Sequence, residues 1–339
     1  MKSLSVGPYD AGQRLDKYLA RMFKEADQGF LYRMLRKKNI VLNGSKASGS
    51  EKLKEGDRVD VFFSDETFAK FRGAAAPESV KKEPVRLSVV YEDEQLLFVN
   101  KPAGLLTQKA DKEGDSLTDR IAAYAAQRGE RLSEGFAAAA ANRLDRNTSG
   151  LVLAGKTLPA QQLLSYLLRD RLVEKYYLCV VKGCPAEPFR SVLYWRKNEE
   201  KNLISILKEA APDAERVELK AWPRTKLKDG FSLLRVQLIS GKSHQIRAQL
   251  AYLGYPVAGD PKYGSRDANR ELSSLAGETL HAQLLHSYEV RFPEELPETA
   301  ELSETALKAW EAVKGHSFRA PLSAVFVRFY KALGGIYGE

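Results

Sequence analysis

The chain of 339 residues has only two cysteines, Cys179 and Cys184, and only four histidines. Two thiols in a chain this long cannot build a disulfide framework, and their spacing matches no paired zinc knuckle, so a reducing compartment is expected. The histidines, His244, His281, His286 and His316, form no cluster beyond the pair His281 and His286, and no metal site is expected. No window approaches the roughly 18 consecutive apolar residues of a membrane span. The opening MKSLSVGPYDAG contains no apolar stretch of secretory length. These absences give a cytoplasmic location as the expectation.

Positive charge, by contrast, is plentiful. Lys and Arg number 53 against 44 Asp and Glu, for a net charge of +9. Such a balance favours a polyanionic partner, nucleic acid first and an anionic membrane surface second. With 44% apolar residues the chain can bury a sizeable core, and its length suits two domains, one of them small.

Residues 1–63 read as a compact module. Leu15, Tyr18, Leu19, Met22 and Phe23 recur at helical spacing, predicting a helix from Arg14 to about Lys24. Phe30, Leu31, Met34 and Leu35 repeat the pattern in a second helix crowded with Arg33, Arg36, Lys37 and Lys38. Short strands follow around the turn dipeptide Asn43-Gly44. Between Arg21 and Lys46 stand seven Lys or Arg against Glu25 and Asp27, a run that is either a solvated face or a track for a phosphate backbone. Residues 64–84 lack a sustained period and read as an interdomain linker. From Val85 to Glu339 short apolar runs alternate with helical patterns, predicting one mixed α and β domain.

Three segments of that domain can carry chemistry. In NRLDRNTSGLVLAGKT, Asn142 to Thr157, a polar loop with Asp145 precedes an apolar strand, and Thr157 caps a leucine-lined helix. A carboxylate between Arg143 and Arg146 suits a nucleophile or base, although an Asp in a polar loop is more often a turn residue. VEKYYLCVVKG, Val173 to Gly183, is apolar on both faces and so central in its sheet, with Tyr177 facing the side of Lys175, Cys179 and Val181. After a strand from Phe231 to Ile239, SHQIRAQLAYLG reads as a helix capped by Ser243. An arginine in a first helical turn opposes the helix dipole, so Arg247, with Lys242 and His244 beside it, points to an anionic partner, phosphate or carboxylate. Gly241-Lys242-Ser243 imitates the end of a phosphate-binding loop, but Val236 occupies its required glycine position.

At these residues the chain resembles the pseudouridine synthases of the RluA, RluC and RluD class, which isomerise uridines in ribosomal RNA. The family signature H-R-L-D-x-x-T-S-G-L stands here as NRLDRNTSGL. KPAG, Lys101 to Gly104, looks like the earlier K-P-x-G motif, and Lys175 to Gly183 looks like the K-x-Y strand. SGKSHQIRAQLAYLGYPVAGDPKYG, Ser240 to Gly264, resembles the long block ending in G-D-x-x-Y-G, and LHA at Leu280 to Ala282 follows in family order. The opening module is similar to the RNA-binding domain of ribosomal small-subunit protein four.

The resemblance implies an α+β fold: a mixed, mainly antiparallel sheet with helices, plus the small N-terminal α/β module. It implies Asp145, Tyr177 and Arg247 as catalytic residues, and Arg143, Lys242, His244, Arg33, Arg36, Lys37 and Lys38 as RNA-binding ones. It also implies no cofactor, no small-molecule cosubstrate, no membrane partner and a monomer acting on ribosomal RNA, that of the large subunit first. Four positions depart from the family pattern: Asn142 and Gln108 stand where histidine is usual, Lys242 replaces arginine and Gln249 replaces histidine. The competing reading is a noncatalytic RNA-binding assembly factor. Its mark would be a lost aspartate or a replaced arginine partner, and neither is seen.

Overall fold

The computed structural model describes residues 1–72, 84–109, 114–128, 136–198, 203–298, 300 and 302–336. The first unit runs β1 (Lys2–Ser5), α1 (Leu15–Met22), α2 (Gln28–Arg36), β2 (Ile40–Leu42), β3 (Ser45–Lys46), β4 (Arg58–Val61) and α3 (Asp65–Arg72). Its four strands form an antiparallel sheet in the order β1-β4-β2-β3. Leu15, Tyr18, Leu19, Leu31 and Leu35 bury the inner faces of the two helices against Ile40, Val59 and Val61.

Helix α2 opens on Asp27, whose carboxylate accepts the Phe30 amide at 2.7 Å. It closes where Lys38 turns left-handed at φ 59° and the Asn39 amide donates back to the Met34 carbonyl at 2.9 Å. That closure sends the chain into β2 and leaves Arg33, Arg36, Lys37 and Lys38 exposed. Asn43 and Gly44, at φ 51° and 72°, make the two-residue turn that the sequence predicts between β2 and β3.

Two elements of this unit escape the sequence reading. Strand β1 pairs with β4 from a segment too short to show alternation. Helix α3 occupies the start of the stretch read as a linker, with Phe68 edge-on to Phe23 at 5.4 Å and Phe71 against Phe30 at 4.3 Å. Two aromatics three residues apart give a helix an apolar stripe without giving the sequence a sustained period. The rest of that stretch, 73–83, lies outside the described residues.

Among the described residues the second unit is built on eleven strands: β5 (Val89–Glu92), β6 (Leu96–Lys101), β7 (Ala139–Ala140), β8 (Ser149–Gly155), β9 (Glu174–Lys182), β10 (Phe189–Asn198), β11 (Leu203–Leu207), β12 (Glu215–Lys226), β13 (Phe231–Leu238), β14 (Leu285–Arg291) and β15 (Ser317–Arg319). Their order is β11-β10-β12-β13-β9-β14-β8-β6-β5, with β7 on β8 and β15 on β14. The β14–β8 pair is parallel and its neighbours are antiparallel, so the sheet is mixed and mainly antiparallel as expected. Around it lie α4 (Leu117–Gln127), α5 (Leu158–Arg169), α6 (Gln245–Tyr252), α7 (Arg266–Ala276), α8 (Glu304–Glu311) and α9 (Ala324–Ala332). Among the described residues no helix is long and apolar enough to cross a membrane.

Strand β9 lies between β13 and β14, which explains its two apolar faces. Tyr177, Cys179 and Val181 face a core with Val152, Leu234, Ile246 and Leu250, whereas Val180 faces Phe231, Phe326 and Phe329. Helix α6 covers the first of these faces and is buried at Gln245, Ile246, Arg247, Ala248, Gln249 and Leu250. The β7–β8 loop opens beside it.

Candidate active site

Asp145 sits in the loop that leads into β8, and the backbone on either side of it is clamped. Thr107 Oγ1 accepts the Leu144 amide at 3.1 Å and donates to the Leu144 carbonyl at 2.9 Å. The Gly104 amide donates to the Arg146 carbonyl at 2.9 Å, and Arg146 Nε returns to the Gly104 carbonyl at 3.1 Å. Fully buried Lys101 donates from Nζ to the carbonyls of Pro102, Leu105 and Arg146 at 3.0, 2.8 and 3.0 Å. Burial pushes the Lys101 ammonium down to about 8, against the pull of Asp145. The KPAG segment is thus a cradle for the Asp145 loop.

Behind the loop, Gly150 has φ 112°, and a Cβ there would lie 2.2 Å from the Ser287 carbonyl oxygen. Only glycine lets β8 and β14 approach so closely.

Arg247, in the first turn of α6, is the charged partner of Asp145. Its Nη1 donates to Asp145 Oδ2 at 2.7 Å, while Nε and Nη2 grip Asp260 at 2.6 and 2.9 Å. Asp260 also accepts the amides of Lys262 and Tyr263 at 2.8 and 3.1 Å. Burial works against the charge on Arg247, but the two carboxylates outweigh it and raise its pKa. Burial likewise opposes ionisation of Asp260, and the Arg247 contact with the two amides holds it below the usual carboxylate range. The side chains are 0% exposed at Asp260, 5% at Arg247 and 23% at Asp145. Of the two carboxylates on this arginine, Asp145 is therefore the one a ligand can reach.

Tyr177 and His244 complete the cluster. Burial of Tyr177 pushes its phenol up to about 12, helped by Asp145 and opposed by a hydrogen bond with Ser287, so it is neutral near pH 7. His244 Nε2 lies 4.0 Å from Asp145 Oδ2, and its Nδ1 is 3.0 Å from the Tyr263 hydroxyl. The expected Ser243 cap is not formed. His244 itself occupies the N-cap position in a left-handed conformation, φ 55° and ψ 14°, and the Ser243 carbonyl instead accepts from Trp195 Nε1 at 3.0 Å.

The structure brings together four of the residues singled out in the sequence, Asp145, Tyr177, His244 and Arg247. Arg143 is exposed and makes no ion pair among the described residues. Lys242 is paired with Glu215, and its ammonium lies 5.8 Å from the centre of the Trp195 ring. Arg33, Arg36, Lys37 and Lys38 belong to the first unit, where Tyr32, Arg36 and Lys46 border a cleft of about 430 Å³. Two of the four departures are tied into internal hydrogen bonds: half-buried Asn142 accepts the Leu153 amide through Oδ1 at 2.8 Å, and buried Gln249 donates from Nε2 to Ser191 Oγ at 2.9 Å. Gln108 is exposed. Sequence reasoning missed Lys101, Thr107, Asp260 and Tyr263 as site builders. The KPAG and GDPKYG segments were the only signal for Lys101, Asp260 and Tyr263, and Thr107 had none.

Residues 95–252 match a family model described as RNA pseudouridylate synthase, a span that holds Asp145, Tyr177 and Arg247. Over 301 residues the chain is 27% identical to ribosomal large subunit pseudouridine synthase C of Escherichia coli strain K12, covering 86% of this chain and 88% of that one. It is 26% identical over 295 residues to an uncharacterized RNA pseudouridine synthase of Aquifex aeolicus, covering 83% of this chain and 85% of that one. Among solved structures, human RNA pseudouridylate synthase domain containing 4 shares the fold, with a TM-score of 0.56 over 73% of this chain and 93% of that one at 17% identity. The chain is an RNA pseudouridine synthase, an isomerase. Within that class its likeness is to the RluA, RluC and RluD group that its motifs resemble.

Proposed function

We propose that this isomerase acts on uridines of large-subunit ribosomal RNA, with Asp145 as the carboxylate that meets the target nucleoside. The observation that carries the reading is the asymmetry around Arg247: Asp260 is sealed on one side of the guanidinium, and Asp145 is held open on the other. The substrate class comes from the name of the Escherichia coli relative.

In the isomerisation the bond from ribose C1′ to ring N1 breaks, a bond from C1′ to C5 forms, the C5 proton leaves and N1 gains one. Nothing is oxidised or reduced, and no cosubstrate enters the balance. A uridine in a stack cannot present its sugar to a carboxylate, so the target nucleotide must be extruded, and exposed Arg143, two residues before Asp145, fills the vacated space. Asp145 then attacks the nucleoside or removes a sugar proton, aimed by Arg247. Tyr177, neutral and buried, stacks on the base. The first unit holds flanking RNA by its phosphates, largely without reading sequence.

The test is tritium release from 5-tritiated uridine in large-subunit ribosomal RNA, followed by mapping of the pseudouridines formed. Asp145→Asn should abolish release while leaving RNA affinity nearly unchanged. Undiminished release by that variant would remove Asp145 from its role, and release from transfer RNA alone would move the substrate class.

A further inference from the structure

His244 is placed with more care than a general RNA contact requires. Its left-handed backbone is uncommon for a residue with a side chain, although histidine tolerates it better than most. The turn that holds it there is pinned: Trp195 Nε1 donates to the Ser243 carbonyl at 3.0 Å, and Gln245 Oε1 accepts from Ser240 Oγ at 3.0 Å and from the Lys242 amide at 3.2 Å. Strain of this kind persists where surrounding contacts over-determine it, and it gathers at ligand-handling positions.

The ring is also held at Nδ1 by Tyr263. The Tyr263 hydroxyl accepts the Ile204 amide at 3.0 Å and lies 3.0 Å from His244 Nδ1, its only other hydrogen-bond contact among the described residues. A hydroxyl has one proton, and in the tautomer that the proposal below uses it goes to His244 Nδ1. Nδ1 then accepts and the ring carries its own proton on Nε2. The groups facing the imidazole are Asp145, Asp260, Arg247, Lys262 and Tyr263, and burial is the largest influence, holding His244 below its ordinary pKa and so neutral. A donor N–H therefore points at the open side of Asp145, across a gap of 4.0 Å.

That gap is too long for a hydrogen bond and matches two of them through a shared oxygen. One hydroxyl oxygen about 2.8 Å from each atom spans it, accepting from Nε2–H and donating to the carboxylate. Whether Asp145 acts at C1′ or at C2′, it must approach the ribose edge that carries the 2′-hydroxyl. We propose that His244, oriented by Tyr263, forms with Asp145 a reader of the target nucleotide's 2′-hydroxyl, so that this site itself selects ribose over deoxyribose. A 2′-hydroxyl both donates and accepts, and it is the group by which a protein tells RNA from DNA. The inference rests on the reading of Asp145 as the carboxylate that meets the nucleoside.

The experiment uses the full chain and a hairpin RNA carrying one mapped target uridine, 5-tritiated, with ribose, 2′-deoxyribose or 2′-fluororibose at that nucleotide alone. Single-turnover tritium release should fall about 10-fold to 100-fold on removing the 2′-hydroxyl, as expected when a half-buried donor and a half-buried carboxylate each lose a hydrogen bond. In His244→Ala the ribose substrate slows and the deoxy penalty shrinks to about 3-fold or less, because one of the two hydrogen bonds is already gone. Tyr263→Phe, which keeps the ring, shrinks the penalty less, and His244→Gln, which can still donate, restores part of it. A folded His244→Ala that keeps the full wild-type penalty overturns the proposal, as does an intact penalty in Tyr263→Phe together with His244→Gln where the alanine variant does not fold. Failure of the wild type to act on the ribose hairpin is a different outcome: it strikes the functional reading itself.

Discussion

Lys101 and Arg146 are 45 residues apart in sequence, yet the Lys101 ammonium donates to the Arg146 carbonyl at 3.0 Å. With its bonds to Pro102 and Leu105, this contact ties the end of β6 to the residue after Asp145. A buried cation satisfied only by carbonyls holds a loop by geometry rather than by charge pairing. Lys101→Met keeps the volume and takes one donor from each of three carbonyls, of which that of Arg146 retains the Gly104 amide, and this should cost about 3 kcal/mol of stability. The Asp145 loop would also lose its aim, and a misplacement near 1 Å lowers turnover about 10-fold to 100-fold. Urea unfolding and tritium release measure the two effects. A variant as stable and as active as wild type would show that the cradle does not depend on Lys101.

What the sequence reveals of this site divides along chain separation. Asp145, Tyr177 and Arg247 carry a local hint: an Asp among arginines, a Tyr on a doubly apolar strand, an Arg in a first helical turn. Locally, however, a turn residue, a core tyrosine or a surface cation fits as well, and the family motifs single these residues out. Thr157 and Pro159 likewise declare the start of α5 within a few residues, and the structure has Thr157 accepting the Ala160 amide. Lys101, Asp260 and Tyr263 give no such sign, because what each does depends on a partner brought in by the sheet. The Arg143 and Arg146 neighbours that the sequence offers Asp145 turn elsewhere, Arg146 to the Gly104 carbonyl and Arg143 to solvent. The arginine that pairs with Asp145 arrives from 102 residues away.

The first unit makes its own prediction through charge alone. Arg36, Lys37 and Lys38 follow one another across the end of α2, all exposed. If they neutralise RNA phosphates, Arg36→Ala, Lys37→Ala and Lys38→Ala together should weaken binding about equally for any sequence. The slope of log affinity against log salt should become shallower by about 2 to 3, since each phosphate that is no longer neutralised removes roughly 0.7 to 0.9 from it. Release of tritium at saturating RNA should stay near wild type, since these side chains belong to a different sheet from Asp145. Filter binding across a salt series checks the slope. An unchanged slope would return these three residues to the status of a solvated helix end.

His286 supplies a prediction of the pH dependence of folding. It is fully buried on β14, with Ser149 Oγ 2.9 Å from Nδ1 and the Ala320 carbonyl 3.1 Å from Nε2. The carbonyl can only accept, so Nε2 carries the proton and the serine hydroxyl donates to Nδ1, the arrangement of a neutral ring. Burial pushes its pKa down to about 4, opposed by the Ala320 contact, from an ordinary 6.5. The unfolded chain therefore takes up a proton here between pH 6.5 and about 4, and the folded chain does not. The contribution is complete above 6.5 and is lost as pH falls towards about 4. It amounts to about 3 kcal/mol over that window. His286→Gln can keep both hydrogen bonds without titrating, while the carboxylates titrate alike in both proteins. Urea midpoints compared at pH 7 and pH 4.5 should thus fall further for wild type than for the variant. Parallel falls would mean that His286 is protonated in the folded chain, and that the Ser149 and Ala320 contacts accommodate its charge.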